Sequence, residues 1–396
     1  MTATLPVSNP TDTDATPRSA RRVLVTGVEH AGGLAALRGL AAAGYEPWAA
    51  TDDMSSYGAL SRSSGGVVEV ADPRLDAERF ARDLVEAAAR IGAVAVLPGT
   101  EAGLIALGRH RDLFPGDVAV GAPDVDDTVA ALDKDALAGL AARAGFRTPP
   151  TLRLSAADVA AADITFPVVV KPVRSELVTD DGLARFEVTQ AAHRAELAST
   201  LAALPGREGL VQPYLSGRIR TVNGVAWKGE TLTTVHKLAE RTWPADCGVV
   251  TWAETVERDE QLEAAARALI AELGWSGLFN LQLIESGPHH YLIDVNPRMY
   301  HSLGLAVAAG VNLPAMWTDL LLGERPEVAE YSRGVRFRSE EDVRSLWAMF
   351  RAGKRGAAIR GLLPHARTTH AVASVADPRP LAAVVRRAIR VATRRR

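Results

Sequence analysis

The chain has 396 residues, of which 47% are hydrophobic and 23% are charged, and its formal net charge at pH 7 is -2. Such a chain is expected to form two or three globular domains, which excludes a peptide hormone, a disulfide-stapled miniprotein and a disordered protein. The small net charge gives no bulk attraction to nucleic acid, so no nucleic-acid partner is expected. The single cysteine, Cys247, excludes an intrachain disulfide and a thiolate metal site, and we expect it to pack in the interior.

The first 20 residues are rich in Thr, Pro, Asp and Ser without an apolar period, and are predicted to be disordered. They have no basic start followed by an apolar stretch, so they do not resemble a signal peptide. No later run is long and apolar enough to span a bilayer, so no membrane partner is expected and the cytoplasm is the expected compartment.

Residues 21–123 alternate short apolar segments with helical patterns: VLVTG, a glycine turn, an Ala/Leu-rich helix and then EPWAATDD open the series. This alternation predicts an α/β domain with a parallel, Rossmann-like sheet covered by helices. From about residue 151, strands separated mostly by turns predict an antiparallel-rich α+β region, followed by a basic, mainly helical tail over 331–396.

The glycine turn VLVTGVEHAGG, with Asp52 after the next strand, also permits a dinucleotide-binding interpretation. A short-chain dehydrogenase would additionally need a tyrosine followed four residues later by a lysine, and none of the six tyrosines has one. We therefore interpret the glycines as positions of close helix packing.

Lysine is rare: 40 of the 45 basic residues are arginine, which leaves five lysines. A lysine kept in such a chain is expected where a compact ammonium is needed. Lys171 ends the β-branched run FPVVVKP, and Lys134 begins a helix, where main-chain amides also favour an anion. Both are candidate phosphate ligands, with a solvated surface lysine as the alternative.

The segment LFNLQLIESGPHHYLIDVNPR predicts a hairpin of two apolar strands. With a three-residue loop at 287–289, Gln282 lies opposite Asp294, and the period of two places Asn296 on the same face. Three oxygen-bearing side chains on an apolar hairpin suit a hard cation, although a solvated polar face would show the same alternation. Arg298 adds a donor fork for phosphate or carboxylate.

The order of these motifs (DK at Lys134, GFRTPPT, PVVVKP, VQPYLSG and IDVNPR) resembles the ATP-grasp superfamily of carboxylate-amine ligases, in the branch similar to the carbamoyl phosphate synthetase large chain. The resemblance extends over about 21–330. It implies a pre-ATP-grasp domain at 21–123, an ATP-grasp domain of two α+β subdomains at 124–330 with its lid at about 151–210, and a C-terminal extension.

The resemblance also implies roles for individual residues. It assigns ATP phosphates to Lys134 and Lys171, the adenine to the hinge (Gln212, Pro213, Tyr214 and Leu215), and Mg2+, or Mn2+ in its place, to Gln282, Asp294 and Asn296. Arg298 would steady the acyl phosphate or the γ-phosphate.

Substrate residues are less determined by the sequence. Glu101 follows a strand end, where ligands bind in open α/β sheets, although a helix cap or surface acid is the alternative. By resemblance, His236 and Arg241 are expected in the acyl site. Ser302 is expected in the acceptor pocket, with His301 either a base for the amine or a packing residue.

The predicted function is an ATP-dependent ligase that joins a carboxylic acid to an amine through an acyl phosphate and releases ADP and phosphate. The expected partners are those small molecules, and the chain is compatible with a homodimer. The alternatives are an ATP-grasp carboxylase or carbamoyl-phosphate-type enzyme, a Rossmann-like NAD(P) oxidoreductase, and a non-catalytic nucleotide sensor.

Overall fold

The computed structural model describes residues 17–132, 134–173, 176–179, 182–185, 188–245 and 248–394. Most of the N-terminal segment predicted to be disordered, and Cys247, lie outside these ranges. Arg18–Ala20, within that prediction, form a short 3-10 turn instead. The turn is held because the Arg18 guanidinium binds the buried Asp319 carboxylate at 2.7 Å.

The N-terminal domain confirms the predicted parallel sheet. Its five strands pair in the order β3-β2-β1-β4-β5 and are all parallel. Helix bounds follow local signals: Asp76 caps α2 by accepting from the Arg79 amide, and Gly92 ends it at φ 66°. The elements are β1 (Arg22–Val25), α1 (Ala31–Ala42), β2 (Glu46–Thr51), β3 (Gly66–Glu69), α2 (Ala77–Ile91), β4 (Ala93–Leu97), α3 (Glu101–Arg109) and β5 (Ala119–Val120).

The glycines of the first turn serve close backbone packing. A side chain at Gly33 would lie 2.3 Å from the Gly27 carbonyl oxygen, and one at Gly32 would lie 2.8 Å from the Tyr300 carbonyl oxygen. The start of α1 is therefore packed against the backbone that follows the predicted site hairpin.

Two helices and a small antiparallel subdomain follow. The helices are α4 (Val125–Leu132) and α5 (Lys134–Arg143). The subdomain has a four-stranded sheet in the order β10-β7-β11-β6 and a separate β8-β9 hairpin. Its elements are β6 (Leu152–Ser155), β7 (Val168–Lys171), β8 (Glu176–Thr179), β9 (Gly182–Arg185), β10 (Thr189–Ala191), α6 (Arg194–Ala203) and β11 (Glu208–Pro213).

A seven-stranded sheet in the order β16-β15-β12-β13-β14-β17-β18 forms the centre of the second half. One of its faces packs on α7, where Val222, Leu281 and Leu283 join Leu262 and Leu269 in one buried cluster. Its elements are β12 (Arg218–Trp227), β13 (Glu230–Trp243), β14 (Val249–Thr255), α7 (Glu260–Glu272), β15 (Gly277–Ser286), β16 (His289–Asn296), α8 (Leu303–Ala308) and α9 (Leu313–Leu321).

The remaining elements are β17 (Arg336–Arg338), α10 (Asp342–Arg351), α11 (Arg355–Gly361), β18 (Thr368–His370) and α12 (Arg379–Arg394). The tail is thus mainly helical. Two of the seven strands of the central sheet, β17 and β18, nevertheless come from it, so the sheet continues past residue 330, where the ATP-grasp domain was predicted to end. Within the described ranges, no helix is long and apolar enough to cross a membrane.

The hairpin of β15 and β16 differs from prediction at its turn. The loop is the two residues Gly287 and Pro288, because Ser286 already pairs with His289. Gly287 has φ 58°, which suits the first position of a two-residue turn. The predicted pairing of Gln282 with Asp294 is nevertheless present, because a β-bulge places Ile293 as an extra residue between the pairs Leu283–Leu292 and Gln282–Asp294.

Candidate functional site

A polar row crosses the seven-stranded sheet on the face opposite α7. Asp294 of β16 pairs with Gln282 of β15, which pairs with Thr221 of β12. Thr221 in turn pairs with Lys237 of β13, and Lys237 with Thr255 of β14. Directly opposed residues of antiparallel strands project to the same face, so the predicted metal ligands and Lys237 share one surface.

A second, adjacent row is built from amides. Asn296 donates to an Asp294 carboxylate oxygen at 3.1 Å and to the Asn280 side-chain oxygen at 3.4 Å. Gln282 donates to the same Asn280 oxygen at 3.3 Å, and Asn280 donates to Asn223. The structure thus brings Gln282, Asp294 and Asn296 together and holds them through Asn280 and Asn223, which the sequence analysis did not identify.

Arg298 joins this cluster to the N-terminal domain. Its guanidinium donates to the Asn296 side-chain oxygen at 2.9 Å and to one Glu101 carboxylate oxygen at 3.2 and 3.3 Å. Glu101 is the first residue of α3, just past the Thr100 cap at the carboxyl end of the parallel sheet. Glu101 and Arg298, far apart in sequence, therefore occupy one site.

Lys171 reaches the cluster from the small subdomain. It ends β7, is 8% exposed, and its Nζ donates to the main-chain carbonyl of Ile293 at 2.8 Å. Ile293 is the bulge residue that precedes Asp294. The lysine predicted as a phosphate ligand thus lies beside the predicted metal carboxylate.

The predicted hinge connects β11 of the small subdomain to β12 of the large sheet. Gln212 and Pro213 pair with Val169 and Val168 of β7, and the Tyr214 amide donates to the Pro167 carbonyl at 3.0 Å. The Gln212 side chain donates to Thr151 at 2.8 Å. The segment from Gln212 to Leu215 therefore runs alongside the strand that carries Lys171.

Lys237 is a residue of this face that the motif analysis did not assign. It is 3% exposed, and burial lowers its pKa from 10.5 to about 7. It donates to the Ser302 hydroxyl, and its ammonium lies 4.7 Å from the centre of the Tyr300 ring. The scarcity of lysine was a signal that could have identified it, since it is one of only five.

His301 faces another way. Its ring contacts Phe337 edge-on at 5.6 Å and lines a cavity of about 140 Å³ with Arg38 and His370. Burial, with Lys237 and His30 nearby, lowers its pKa to about 4. Its Nε2 is buried and, among the described residues, has no hydrogen-bond partner, so the imidazole is neutral at pH 7.

The structure does not bring His236 and Arg241 to this cluster. His236 follows the opposite alternation from Lys237 and contacts Glu263 of α7 at 3.2 Å. Arg241 pairs opposite Trp252, beyond a bulge in β13, and its guanidinium forms two bonds of 2.7 and 2.8 Å with Asp342. Both side chains have structural partners on the other side of the sheet.

Two predicted features cannot be placed by their side chains. Lys134 begins α5 as expected, but its side chain lies outside the described part of the chain. In the predicted lid, residues 174, 175, 180, 181, 186 and 187 and the side chains over 174–187 lie outside it as well.

The donor set suits magnesium better than a transition metal. Among the described residues, no group of three His, Cys, Asp or Glu side chains could hold an ion. One carboxylate with amide oxygens is a hard, incomplete set, of the kind Mg2+ completes with water and phosphate oxygens. The Asn296 oxygen that accepts from Arg298 keeps a second lone pair, so that bond does not prevent metal binding.

Comparisons with known proteins bear on the family and the fold. Residues 206–343 match the family model described as ATP-grasp in the biosynthetic pathway with Ter operon. This range includes Gln212, Lys237, the β15-β16 hairpin and Arg298. No curated protein matches the sequence.

Solved structures resemble most of the chain. They include the biotin carboxylase domain dimer of Hydrogenobacter thermophilus 2-oxoglutarate carboxylase with MgADP, ADP and bicarbonate (TM-score 0.58, 16% identity, 80% of this chain and 73% of that one). L-amino acid ligase from Bacillus licheniformis has TM-score 0.56 and 14% identity, over 77% of this chain and 75% of that one. N5-carboxyaminoimidazole synthetase from Staphylococcus aureus has TM-score 0.58 and 13% identity, over 78% and 80%.

At these identities the likeness establishes the fold, and it agrees with the family match and with the mixed α/β architecture. Residues 206–343 therefore carry an ATP-grasp family match, and most of the chain shares the fold of these solved structures.

Proposed function

We propose that the protein is an ATP- and Mg2+-dependent ligase that joins a carboxylic acid to an amine through an acyl phosphate. The observation that carries this proposal is the convergence of Lys171, Asp294, Asn296 and Arg298, which come from two sheets and the loop after β16. Cations and hard oxygen donors around one point match the charge requirements of phosphoryl transfer.

The chemistry that ATP and magnesium supply is activation of the carboxylate. A carboxylate oxygen bonds to the γ-phosphorus and ADP leaves; the amine then bonds to the carbonyl carbon, phosphate leaves, and the amine gives up a proton. The chain's own contribution is to hold the reactants in line and to balance charge on their oxygens.

The residues divide these tasks. Lys171, with Lys134 as the expected second lysine, would bind phosphate oxygens, and the segment from Gln212 to Leu215 would bind the adenine. Asp294, Asn296 and Gln282 would hold the metal. Arg298, held by Glu101, would support the acyl phosphate as a planar donor fork.

Lys237 and Ser302 fit the carboxylate substrate. They lie together on the face that carries the metal donors, and Lys237 is a buried cation that donates a hydrogen bond to the neutral Ser302 hydroxyl. A substrate carboxylate would supply the counter-charge that this lysine lacks. His301 faces Phe337 rather than this pair, and burial lowers its pKa to about 4, so of the two roles expected from the sequence we assign it packing.

The experiment is release of ADP and phosphate from Mg-ATP across a panel of carboxylic acids, each with and without a pool of amino acids, and with bicarbonate as a separate arm. Release that needs both partners supports the ligase. Hydroxylamine in place of the amine should then trap the acyl phosphate as a hydroxamate. Bicarbonate-dependent release without any other acid would favour a carboxylase instead, and thermal stabilisation by Mg-ATP without turnover on any arm would favour a sensor.

The Lys171→Met variant serves as the inactive control in every arm. Lys228→Met is its matched control, because Lys228 is an exposed lysine in the β12-β13 turn. Turnover that survives Lys171→Met would show that the phosphates bind elsewhere.

A further inference from the structure

The helical hairpin of α10 and α11 displays an apolar outer surface. Of the thirteen large hydrophobic side chains exposed among the described residues, six lie within 343–363. We call them the hairpin surface; they are 37–60% exposed: Val343, Trp347, Phe350, Ile359, Leu362 and Leu363. Concentration of this kind marks a contact site rather than ordinary surface scatter.

Three of these residues form a stripe on the first helix, and the other three lie at the end of the second helix and in the turn after it. Val343, Trp347 and Phe350 follow the i, i+4, i+7 pattern of one helix face, and the rings of Trp347 and Phe350 stack at 5.8 Å. On α11 only Ile359 is helical; Leu362 is the C-cap and Leu363 follows it in the turn, where their amides donate to the Ile359 and Arg360 carbonyls. The first helix therefore carries an outward apolar stripe, and the end of the second adds three exposed apolar side chains.

The inner side of the hairpin is anchored to the sheet, so the outer apolar side chains are not misplaced core. Leu346 and Ala358 are buried, and Gly361 lies so close to Leu346 that a side chain there would come within 2.4 Å of it. Asp342, at the start of α10, binds Arg241 and Arg338 of the sheet. The hairpin presents its apolar surface on a fixed support.

The charge within the hairpin segment is mainly basic, although Arg344 pairs with the exposed Glu341 just before it at 3.6 Å. From Val343 to Arg367 the sequence has no Asp or Glu and six basic residues. All six side chains are exposed: Arg344, Arg351, Lys354, Arg355, Arg360 and Arg367. The rest of the chain compensates this excess, since the formal net charge of the whole is -2.

We propose that the hairpin surface docks on an anionic lipid bilayer, with its apolar side chains in the interface and its basic rim on the headgroups. Helices that lie in a membrane interface typically combine an apolar face of Trp, Phe, Leu or Ile with flanking Arg and Lys. A second copy of the chain fits less well, because an isologous contact here would bring two rims of six positive charges together. This proposal revises the expectation of no membrane partner, which rested on the lack of a spanning segment; an interfacial contact needs none.

The test is co-sedimentation of the full chain with vesicles of phosphatidylcholine containing about one third phosphatidylglycerol. We expect binding to these vesicles and none to pure phosphatidylcholine, with release as NaCl rises from about 0.1 M to about 1 M, where the Debye length falls from about 10 Å to about 3 Å. The double variant Trp347→Glu/Ile359→Glu should lower the partition coefficient by at least about tenfold. The matched control Met54→Glu/Leu75→Glu, on exposed apolar side chains elsewhere, should leave it unchanged.

Two further readouts separate docking from other causes. Brominated lipids should quench part of the tryptophan fluorescence, and the Trp347→Phe variant should bind vesicles but lose that part. All variants should keep the wild-type melting temperature and ATP turnover. Equal vesicle binding by the Glu double variant, no binding by the wild type, or a dimer that this variant dissociates would each overturn the proposal.

Discussion

Lys171 and Asp294 belong to different sheets, yet the Lys171 ammonium is bound 2.8 Å from the carbonyl oxygen of the residue before Asp294. That residue, Ile293, is the one the β-bulge inserts into β16. The bulge therefore does two things: it restores the pairing of Asp294 with Gln282, and it provides the carbonyl that positions the lysine. Bulges are common beside functional sites for this reason.

The first prediction concerns this lysine. Lys171→Met keeps the apolar stem but removes the ammonium, so we expect ATP turnover to fall by about 100-fold or more, as for loss of one preorganised charge at a phosphoryl-transfer site. Melting temperature should fall as well, because the Ile293 carbonyl loses its donor. Steady-state kinetics beside thermal melting separate the two effects, with Lys228→Met as the control. An active, merely less stable variant would assign Lys171 a structural role only.

The second prediction concerns the metal. Asp294→Asn preserves the shape of the side chain but removes its negative charge, so we expect the Mg2+ concentration for half-maximal turnover to rise by about 10- to 100-fold. Titration of activity against free Mg2+ at saturating ATP measures this. Asp158→Asn, an exposed carboxylate of the small subdomain, is the control. An unchanged Mg2+ dependence would remove Asp294 from the metal site.

The third prediction concerns His236, which the sequence analysis expected in the acyl site. Although burial opposes it, hydrogen bonds from His236 and Thr234 and the charge of Arg267 lower the pKa of Glu263 to about 2. His236→Ala should therefore reduce stability by about 1–3 kcal/mol and leave kcat and KM of the folded enzyme unchanged. The control is His370→Ala, on an exposed histidine.

The pH dependence of that contribution has a definite sign. A carboxyl whose pKa is lowered on folding stabilises the protein above its unfolded pKa, near 4.5, and loses this effect as the pH falls toward 2. Wild type and His236→Ala should therefore differ most above pH 4.5 and converge in acid. A raised KM for the carboxylate substrate at neutral pH would instead return His236 to the site.

The sequence predicted the elements of the fold because its signals are local. The alternation of apolar runs and helical patterns predicted the parallel sheet of the N-terminal domain, which the structure contains. Pairing of Gln282 with Asp294 was also predicted, but through a three-residue loop. The two-residue turn shifts the pairing by one residue, and the bulge at Ile293 shifts it back. No local signal distinguishes a three-residue loop without a bulge from a two-residue loop with one.

The contents of the site were harder to predict where neighbouring residues face opposite ways. His236 and Lys237 are adjacent in the motif HKL, and only the strand alternation decides which side chain faces the cluster. In a strand covered on both faces both positions are buried, so burial and hydropathy do not separate them. The amide partners Asn223 and Asn280 were not predicted for a related reason: the pairing register of three strands, which the sequence does not show, brings them beside Asn296.

The last prediction concerns how the buried Lys237 makes the stability of the protein depend on pH. Burial lowers its pKa from 10.5 to about 7, so between these pH values the unfolded chain binds a proton that the folded chain does not. The free energy of unfolding must then rise with pH across this window, and the cost of burying the charge is complete at and below pH 7. A shift of this size corresponds to about 5 kcal/mol at about 1.36 kcal/mol per pH unit, an upper bound because the Tyr300 ring and the Ser302 hydroxyl favour the charged form.

Lys237→Met should therefore be more stable than wild type at pH 7, and the advantage should shrink as the pH approaches 10.5. Chemical denaturation at several pH values measures this, with Lys228→Met, an exposed lysine, expected to show no such trend. In the same variant the KM for the carboxylate should rise, because the counter-charge of the substrate is gone. Parallel stability curves for wild type and Lys237→Met would mean that the ammonium is hydrated in solution, and the carboxylate site would then have to be sought beside Arg298.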